Sequence, residues 1–211
     1  MRLSASLFAA DPFRLEVQMA AVEPHVESFH VDIIDGRFAP TFGLDERLVK
    51  ILVRTRSKPI DVHLMVENPV HWAPRFAGLG ARIVAVHAEC DADIGYVFRS
   101  VRKEGALAYL ALRPETPISE VRRLIDDADG VLLLTAPAGG GSFLDVALQR
   151  AFELPRGYPS MIDGRVEEAH FEVASTAGVD LAVIGRSLFD CEHLSARASA
   201  LASKLHKLAK A

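Results

Sequence analysis

Cysteine is scarce in this chain, and long hydrophobic runs are absent. Cys90 and Cys191 are the two cysteines of 211 residues, and neither belongs to a CxxC pair. This excludes a disulfide framework and predicts that both cysteines are packing residues. No apolar run reaches the roughly 18 residues that a membrane span needs. The first residues, MRLSASLFAADPF, lack the long apolar segment of a signal peptide, so we expect a cytoplasmic protein.

An excess of positive charge is also missing. The chain has 24 Lys and Arg against 28 Asp and Glu, for a net charge of -4. This balance predicts no general affinity for nucleic acid or anionic membranes. With 50% hydrophobic and 25% charged residues, the composition is that of a folded protein. Since α/β barrels run to about 200–250 residues, we expect one domain over residues 1–211.

Short apolar runs alternate with segments of helical periodicity along the whole chain. Because the runs are rich in Val, Ile and Leu, they predict buried parallel strands. The predicted strands are 3–8, 28–34, 59–65, 82–87, 106–112, 130–135, 158–162 and 181–184. The predicted helices are 12–22, 45–54, 69–77, 94–103, 117–125, 143–152, 166–177 and 194–210. Thr116 before Pro117 is typical of a capping residue at a helix start.

Eight strands alternating with eight helices allow two architectures, a (β/α)8 barrel or an open doubly wound sheet. The glycine-rich G-x-G-x-x-G pattern of a Rossmann fold does not follow the first strand, which continues as SLFAADP. The regular spacing of the units favours a compact (β/α)8 TIM barrel. In such barrels the chemistry takes place at the carboxyl ends of the strands.

Acidic and histidine side chains occupy several of these strand ends. Strand alternation places His30 and Asp32 on one face of FHVDIIDG, and His63 lies on the corresponding face of IDVHLM. Asp163 and His87 end two further strands. Imidazole and carboxylate together suit Zn, Fe, Mn or Co. A metal site and a buried polar network that only orients side chains are both compatible with this pattern.

Glycine-rich loops follow two late strands. One loop carries Gly139, Gly140 and Gly141, and the other carries Gly185 and Arg186. Late loops of barrels often bind phosphate, and glycine lets the backbone approach an anion closely. A flexible turn is the simpler explanation of one such loop, but two of them after late strands favour a phosphate site.

Several motifs resemble those of the ribulose-phosphate 3-epimerase family, in order and over nearly the whole chain. HVDIIDGRFAP is similar to the family's H-V-D-x-M-D-G-x-F-V-P signature, and LRPETPISE to its N-P-x-T-P-x-E loop. IDVHLMVENP and VAVHAE match two further signatures almost residue for residue. The resemblance implies a barrel of the ribulose-phosphate-binding type and a role in pentose-phosphate metabolism.

The resemblance also implies specific roles for residues. One divalent metal (Zn, Fe, Mn or Co) is expected on His30, Asp32, His63 and Asp163, with His87 at most supporting this site. Asp32 and Asp163 are then the two catalytic bases, which transfer a proton at C3 from opposite faces of the substrate. A homo-oligomer is expected. The expected substrate-binding residues are Ser6, Met65, Gly139, Gly140, Gly141, Gly164, Arg165, Gly185 and Arg186.

Departures from the family pattern concentrate at the phosphate end. The loop 137–143 is shorter than the family's, and Arg165 and Arg186 stand where the family has other residues. Ile34 and Leu134 replace two methionines expected around the metal. The expected reaction is the 3-epimerisation of D-ribulose 5-phosphate and D-xylulose 5-phosphate. The alternatives are the same chemistry on allulose 6-phosphate or a tetrulose phosphate, and a non-catalytic sugar-phosphate-binding homologue.

Overall fold

The computed structural model describes residues 1–208 and contains a closed barrel of eight parallel strands in sequential order. The strands are β1 (Arg2–Ser6), β2 (Ser28–Ile34), β3 (Ile60–Met65), β4 (Ile83–His87), β5 (Leu107–Leu112), β6 (Gly130–Leu134), β7 (Ser160–Asp163) and β8 (Leu181–Ile184). β8 pairs with β1 and closes the barrel. The predicted (β/α)8 TIM barrel is therefore confirmed.

Helices follow the strands and cover the outside of the barrel. They are α1 (Leu15–Val22), α2 (Glu46–Thr55), α3 (Pro69–Gly78), α4 (Ile94–Lys103), α5 (Arg122–Asp127), α6 (Asp145–Gln149), α7 (Phe171–Thr176), α8 (Arg186–Phe189) and α9 (Leu194–Leu208). The last predicted helix extends to residue 210, and its residues 209 and 210 lie outside the described residues. None of the helices in residues 1–208 is both long and apolar enough to cross a membrane.

Three helices are shorter than predicted because their first or last turn is a 3-10 helix. The segment 117–125 divides into a 3-10 turn at Ile118–Val121 and α5. The side chain of Thr116 does not cap this segment, because its hydroxyl group donates to Glu89 instead. Competition from a tertiary hydrogen bond thus overrides a local capping signal.

The core has two layers separated by the sheet. The larger layer lies between the strands and the helices and includes Phe29, Phe76 and Phe98. A smaller cluster fills the inside of the barrel with residues such as Leu132 and Met161. Polar side chains of β2 and β3, among them His30 and His63, are buried in the same interior.

Candidate metal centre and active site

Four side chains from three strands meet at the carboxyl end of the barrel. His30 and Asp32 come from β2, His63 from β3 and Asp163 from the end of β7. Asp32 and His63 are direct partners in the parallel register of β2 and β3. One ligand atom from each of the four residues lies within 4.8 Å of the other three. The structure thus brings together the four residues that the sequence predicted as metal ligands.

The distances within this His2Asp2 cluster fit a first-row divalent metal. Oδ1 of Asp32 lies 3.2 Å from Nδ1 of His63 and 3.4 Å from Nε2 of His30. Oδ2 of Asp163 lies 3.5 Å from Nδ1 of His63 and 3.8 Å from Nε2 of His30. Zinc bonds of about 2.0–2.2 Å in a tetrahedron place neighbouring ligand atoms about 3.3 Å apart. The four atoms therefore surround a space of the right size.

Burial of His30 supports the same fit. Its side chain is only 1% exposed, and within residues 1–208 neither ring nitrogen has a hydrogen-bond partner. A buried polar atom without a partner costs about 1–3 kcal/mol. A cation held at Nε2 would satisfy one of the two atoms, which a purely structural polar network leaves unexplained. This favours the metal site over the orienting network.

Electrostatics in the metal-free cluster are those of ion pairs. Burial lowers the pKa of His63, but hydrogen bonds to Asp163 and Asp32 outweigh it and raise the pKa to about 9. Burial raises the pKa of Asp32, yet the charge of the nearby His30 and the hydrogen bond with His63 hold it well below its usual range. The pKa of His30 is raised for the same reason, because the carboxylates overcome the effect of burial. In the absence of a metal, these shifts favour the protonated form of both histidines.

Ser6, at the end of β1, binds the second oxygen of the Asp32 carboxylate. Its hydroxyl group donates to Oδ2 of Asp32 at 3.2 Å. Oδ1 of the same carboxylate faces the two histidines. The sequence predicted Ser6 as a substrate-binding residue, and the structure places it beside Asp32 in the lining of one cavity.

A third histidine, His87, and a glutamate, Glu89, lie next to His63. Nε2 of His87, on β4, is 2.9 Å from Nε2 of His63, and Nδ1 of His87 is 2.9 Å from Oε2 of Glu89. Burial is the main cause that lowers the pKa of His87 to about 4. Burial raises the pKa of Glu89, but the contact with His87 and other donors lower it to about 2. No local sequence pattern singles out Glu89, although it follows a buried strand by two residues.

A cavity of about 720 Å³ extends from the His2Asp2 cluster to the late loops. Asp32 and Asp163 form part of its lining, and Ile34, Met65 and Leu134 lie beside them. Of the predicted substrate-binding residues, Gly141 is outside this lining. The others all line the cavity: Ser6, Met65, Gly139, Gly140, Gly164, Arg165, Gly185 and Arg186.

Arg165 has an unusual backbone conformation at the edge of this cavity. Its φ of 57° makes it the one non-glycine residue with positive φ among residues 1–208. A side chain in the left-handed region costs about 1–2 kcal/mol. Strain of this kind is often found at ligand sites. Arg165 and Arg186 both contribute to the lining of this cavity.

The fold and the site together define a class, the (β/α)8-barrel proteins with a His2Asp2 metal-binding cluster at the carboxyl ends of their strands. Residues 2–189 match the profile of the ribulose-phosphate 3 epimerase family. The chain belongs to this family. The resemblance of its motifs predicted this membership, which is confirmed.

Two relatives in this family show how far the similarity extends. Ribulose-phosphate 3-epimerase from Mycobacterium bovis is 31% identical over 208 residues, which cover 94% of this chain and 90% of that protein. Ribulose-phosphate 3-epimerase from Bacillus subtilis is 30% identical over 200 residues, with 90% and 92% covered. The similarity therefore extends over nearly the full length of both partners.

Solved structures confirm the architecture. 3-Hexulose-6-phosphate synthase from Salmonella typhimurium aligns with a TM-score of 0.78 at 17% identity, covering 99% of this chain and all (100%) of that one. KGPDC from Streptococcus mutans aligns with a TM-score of 0.80 at 13% identity, with 98% of each chain covered. At these identities the likeness concerns the barrel fold alone.

Proposed function

We propose that this protein is a metal-dependent isomerase that interconverts D-ribulose 5-phosphate and D-xylulose 5-phosphate by inverting C3. Membership of the family and the names of the relatives support the reaction. The observation that carries it is the pair of carboxylates, Asp32 and Asp163, which reach one cavity from strands β2 and β7. Two opposed bases can invert a carbon centre without the intermediate turning over.

His30, Asp32, His63 and Asp163 would hold the divalent cation, and the choice among Zn, Fe, Mn and Co depends on availability as well as on ligand type. When bound, such a cation acts as a Lewis acid that stabilises negative charge developing on the substrate oxygens. Both imidazoles must be neutral at their ligating nitrogens, so metal binding releases the protons that the metal-free cluster retains.

The two carboxylates move the proton. One of them removes the proton at C3 on its side of the substrate, and the other, in its protonated form, returns a proton from the opposite side. Ser6 holds the Asp32 carboxylate through Oδ2, which limits its rotation between the two steps. The apolar side chains of Ile34, Met65 and Leu134 exclude water from the reacting carbon.

The phosphate group belongs beside Gly164, Gly185 and the late loop that carries Gly139 and Gly140, all of which line the cavity. Gly164 has a φ of 111°, and a Cβ atom there would lie 2.7 Å from the backbone nitrogen of Ala136. The loop after β7 can therefore come close to the loop after β6 because this residue is glycine. Arg165 and Arg186 add charge-assisted donors that suit a phosphate dianion.

Proton NMR of ribulose 5-phosphate in D2O, with the Co2+-loaded protein, tests the proposal. Deuterium at C3 together with growing xylulose 5-phosphate is expected. Asp32→Asn and Asp163→Asn are each expected to lower turnover at least about 10²–10⁴-fold, the share of one acid–base group. Asp126→Asn, on the exposed face of α5, is the matched control and is expected to turn over normally. If C3 does not exchange while metal is bound, ribulose 5-phosphate is not the substrate.

A different ketose phosphate is the second candidate. The two additional arginines and the altered loop 137–143 favour it, because they change the end of the cavity that selects the anion. Allulose 6-phosphate and a tetrulose phosphate are the substrates to compare, by their kcat/KM values in the same assay. If none of the ketose phosphates exchanges at C3, the chain is a non-catalytic sugar-phosphate-binding homologue.

We also propose that the protein acts in the cytoplasm as a homo-oligomer. Phe13 (98% exposed) and Val17 (64%), four residues apart around the start of α1, are apolar and exposed, which supports an interface between copies. Light scattering after size exclusion measures the mass, and a mass of 23.0 kDa would contradict the oligomer.

A further inference from the structure

A chain of hydrogen-bonding groups, none of which lines the substrate cavity, leads away from the metal centre. It starts at His63, continues through His87 at the end of β4, and ends at Glu89. The two ring nitrogens of His63 have different neighbours, because Nδ1 faces Asp32 and Asp163 whereas Nε2 faces His87. Which nitrogen carries the proton therefore decides whether His63 can bind a metal.

Glu89 is held in one orientation by backbone and side-chain donors. Oε1 accepts the backbone N–H of Arg113 at 2.9 Å and also the hydroxyl of Thr116. Both donors belong to the loop after β5, which starts where that strand ends at Leu112. With Oε1 occupied in this way, Oε2 is left for Nδ1 of His87 at 2.9 Å.

The position of each proton in the chain follows from these partners. The Glu89 carboxylate can only accept, so Nδ1 of His87 must be the donor. A neutral His87 then has an unprotonated Nε2, which can only accept from the Nε2 of His63. With its proton on Nε2, a neutral His63 presents the lone pair of Nδ1 to Asp32, Asp163 and the cation site.

Water has no access to reverse this arrangement. The side chains of His63 and His87 are both 0% exposed. The ring of Phe38 lies 4.6 Å from that of His87, and the guanidinium of Arg113 lies 4.3 Å above Phe38 while donating to its carbonyl oxygen. A buried imidazole whose partners are all fixed has one tautomer available to it.

We propose that Glu89 is a positioning residue, which acts through His87 to keep Nδ1 of His63 free for the metal. This inference rests on the proposed metal-binding role of the His2Asp2 cluster. Partners of this kind behind a ligand typically account for about 10–100-fold in metal affinity. A positioning role can be distinguished from a packing role, because only the positioning role requires the proton of His63 to be on one particular nitrogen.

Glu89→Gln is the decisive variant because it keeps the shape of the side chain but reverses the direction of the hydrogen bond to Nδ1 of His87. The N–H of Arg113 can only donate, so the amide oxygen must face it and the NH2 group must face His87. Nδ1 of His87 then accepts, and its Nε2–H points at Nε2 of His63, which moves the His63 proton to Nδ1. Glu67→Gln is the matched control, since Glu67 is exposed and contacts Arg37 at the rim.

The test has two measurements on the full chain. Competition against a chelator gives the affinity for Co2+, and nitrogen-15 NMR of the histidine rings in the Zn2+-loaded protein gives the position of each proton. We expect Glu89→Gln to bind Co2+ about 10–100-fold more weakly and Glu67→Gln to bind it like the wild type. In the wild type, the His87 proton is expected on Nδ1 and that of His63 on Nε2.

Three results would overturn the inference. One is an unchanged Co2+ affinity in Glu89→Gln, and another is a wild-type His87 that carries its proton on Nε2. Because the second needs no variant, it holds even if Glu89→Gln does not fold. A wild-type protein that binds no Co2+ would overturn the proposed metal-dependent function, and with it this inference. The Co2+ affinity of the wild type therefore tests the proposed metal-dependent function, and the change of that affinity in Glu89→Gln tests the role of Glu89.

Discussion

The affinity of the His2Asp2 cluster for a metal is expected to depend steeply on pH. Its histidines have raised pKa values when no metal is bound, so a cation must displace their protons. His63 is the residue with the clearest shift, since its hydrogen bonds to Asp163 and Asp32 overcome burial and raise the pKa to about 9. Lowering the pH from 8 to 6 is therefore the perturbation of interest. His87, with a pKa lowered to about 4 mainly by burial, is neutral throughout this range and adds nothing.

The magnitude follows from the proton count. Below a pKa of about 9, each pH unit lowers the fraction of neutral His63 tenfold, so the step from pH 8 to 6 lowers the apparent affinity about a hundredfold. His30, whose pKa is also raised, steepens the dependence. Calorimetric titration with Co2+ in buffers of different ionisation enthalpy measures the protons released, and we expect at least about one per ion at pH 7.

The stability of the metal-free protein has the opposite dependence on pH. A histidine whose pKa is raised on folding stabilises the fold fully below its ordinary value of 6.5, and the contribution is lost as the pH rises through about 9. The Tm of the metal-free protein should therefore fall over this window, and that of the loaded protein should not. Metal binding without proton release, at an affinity equal at pH 6 and 8, would refute the reasoning.

Three substitutions extend these predictions. Gly164→Ala is expected to lose at least about 1–3 kcal/mol of stability, measured by urea unfolding, because its Cβ would meet the backbone of Ala136 and its φ is 111°. Arg165→Gly should raise the stability by up to about 1 kcal/mol through relief of the φ of 57°, yet raise KM; an unchanged KM would remove this arginine from the phosphate site. Leu132→Ala in the inner core should cost about 2–5 kcal/mol, and a Tm change below about 2 °C would contradict it.

Much of the architecture was accessible from local pattern. Buried parallel strands and amphipathic helices have distinct periods, so β2 was predicted with its observed bounds, as were β8 and α4. Alternation along β2 and β3 also placed His30, Asp32 and His63 on the inner face before their distances were known. These residues lie on regular strands whose neighbours in space follow the chain order, which is why a sequence pattern sufficed.

Tertiary structure decided the features in which two or more loops meet. The position of Thr116 directly before Pro117 predicts that it caps a helix. Its hydroxyl group instead donates to Glu89, which follows β4. The role of Glu89 itself depends on a loop from β5 and a histidine from β4, and no local pattern records that contact. In the same way, the left-handed conformation of Arg165 is set by the turn between β7 and α7 rather than by arginine's own preference.

The amino-acid sequence by itself determined the barrel, the family and the four residues of the His2Asp2 cluster, because strand periodicity and motif order are properties of the chain. Only the tertiary structure decided how His63 is held, which oxygen of Asp32 accepts from Ser6, and which glycines reach the cavity. Those features depend on distances of a few ångströms between loops far apart in the sequence, and such distances are fixed by packing once the barrel has closed.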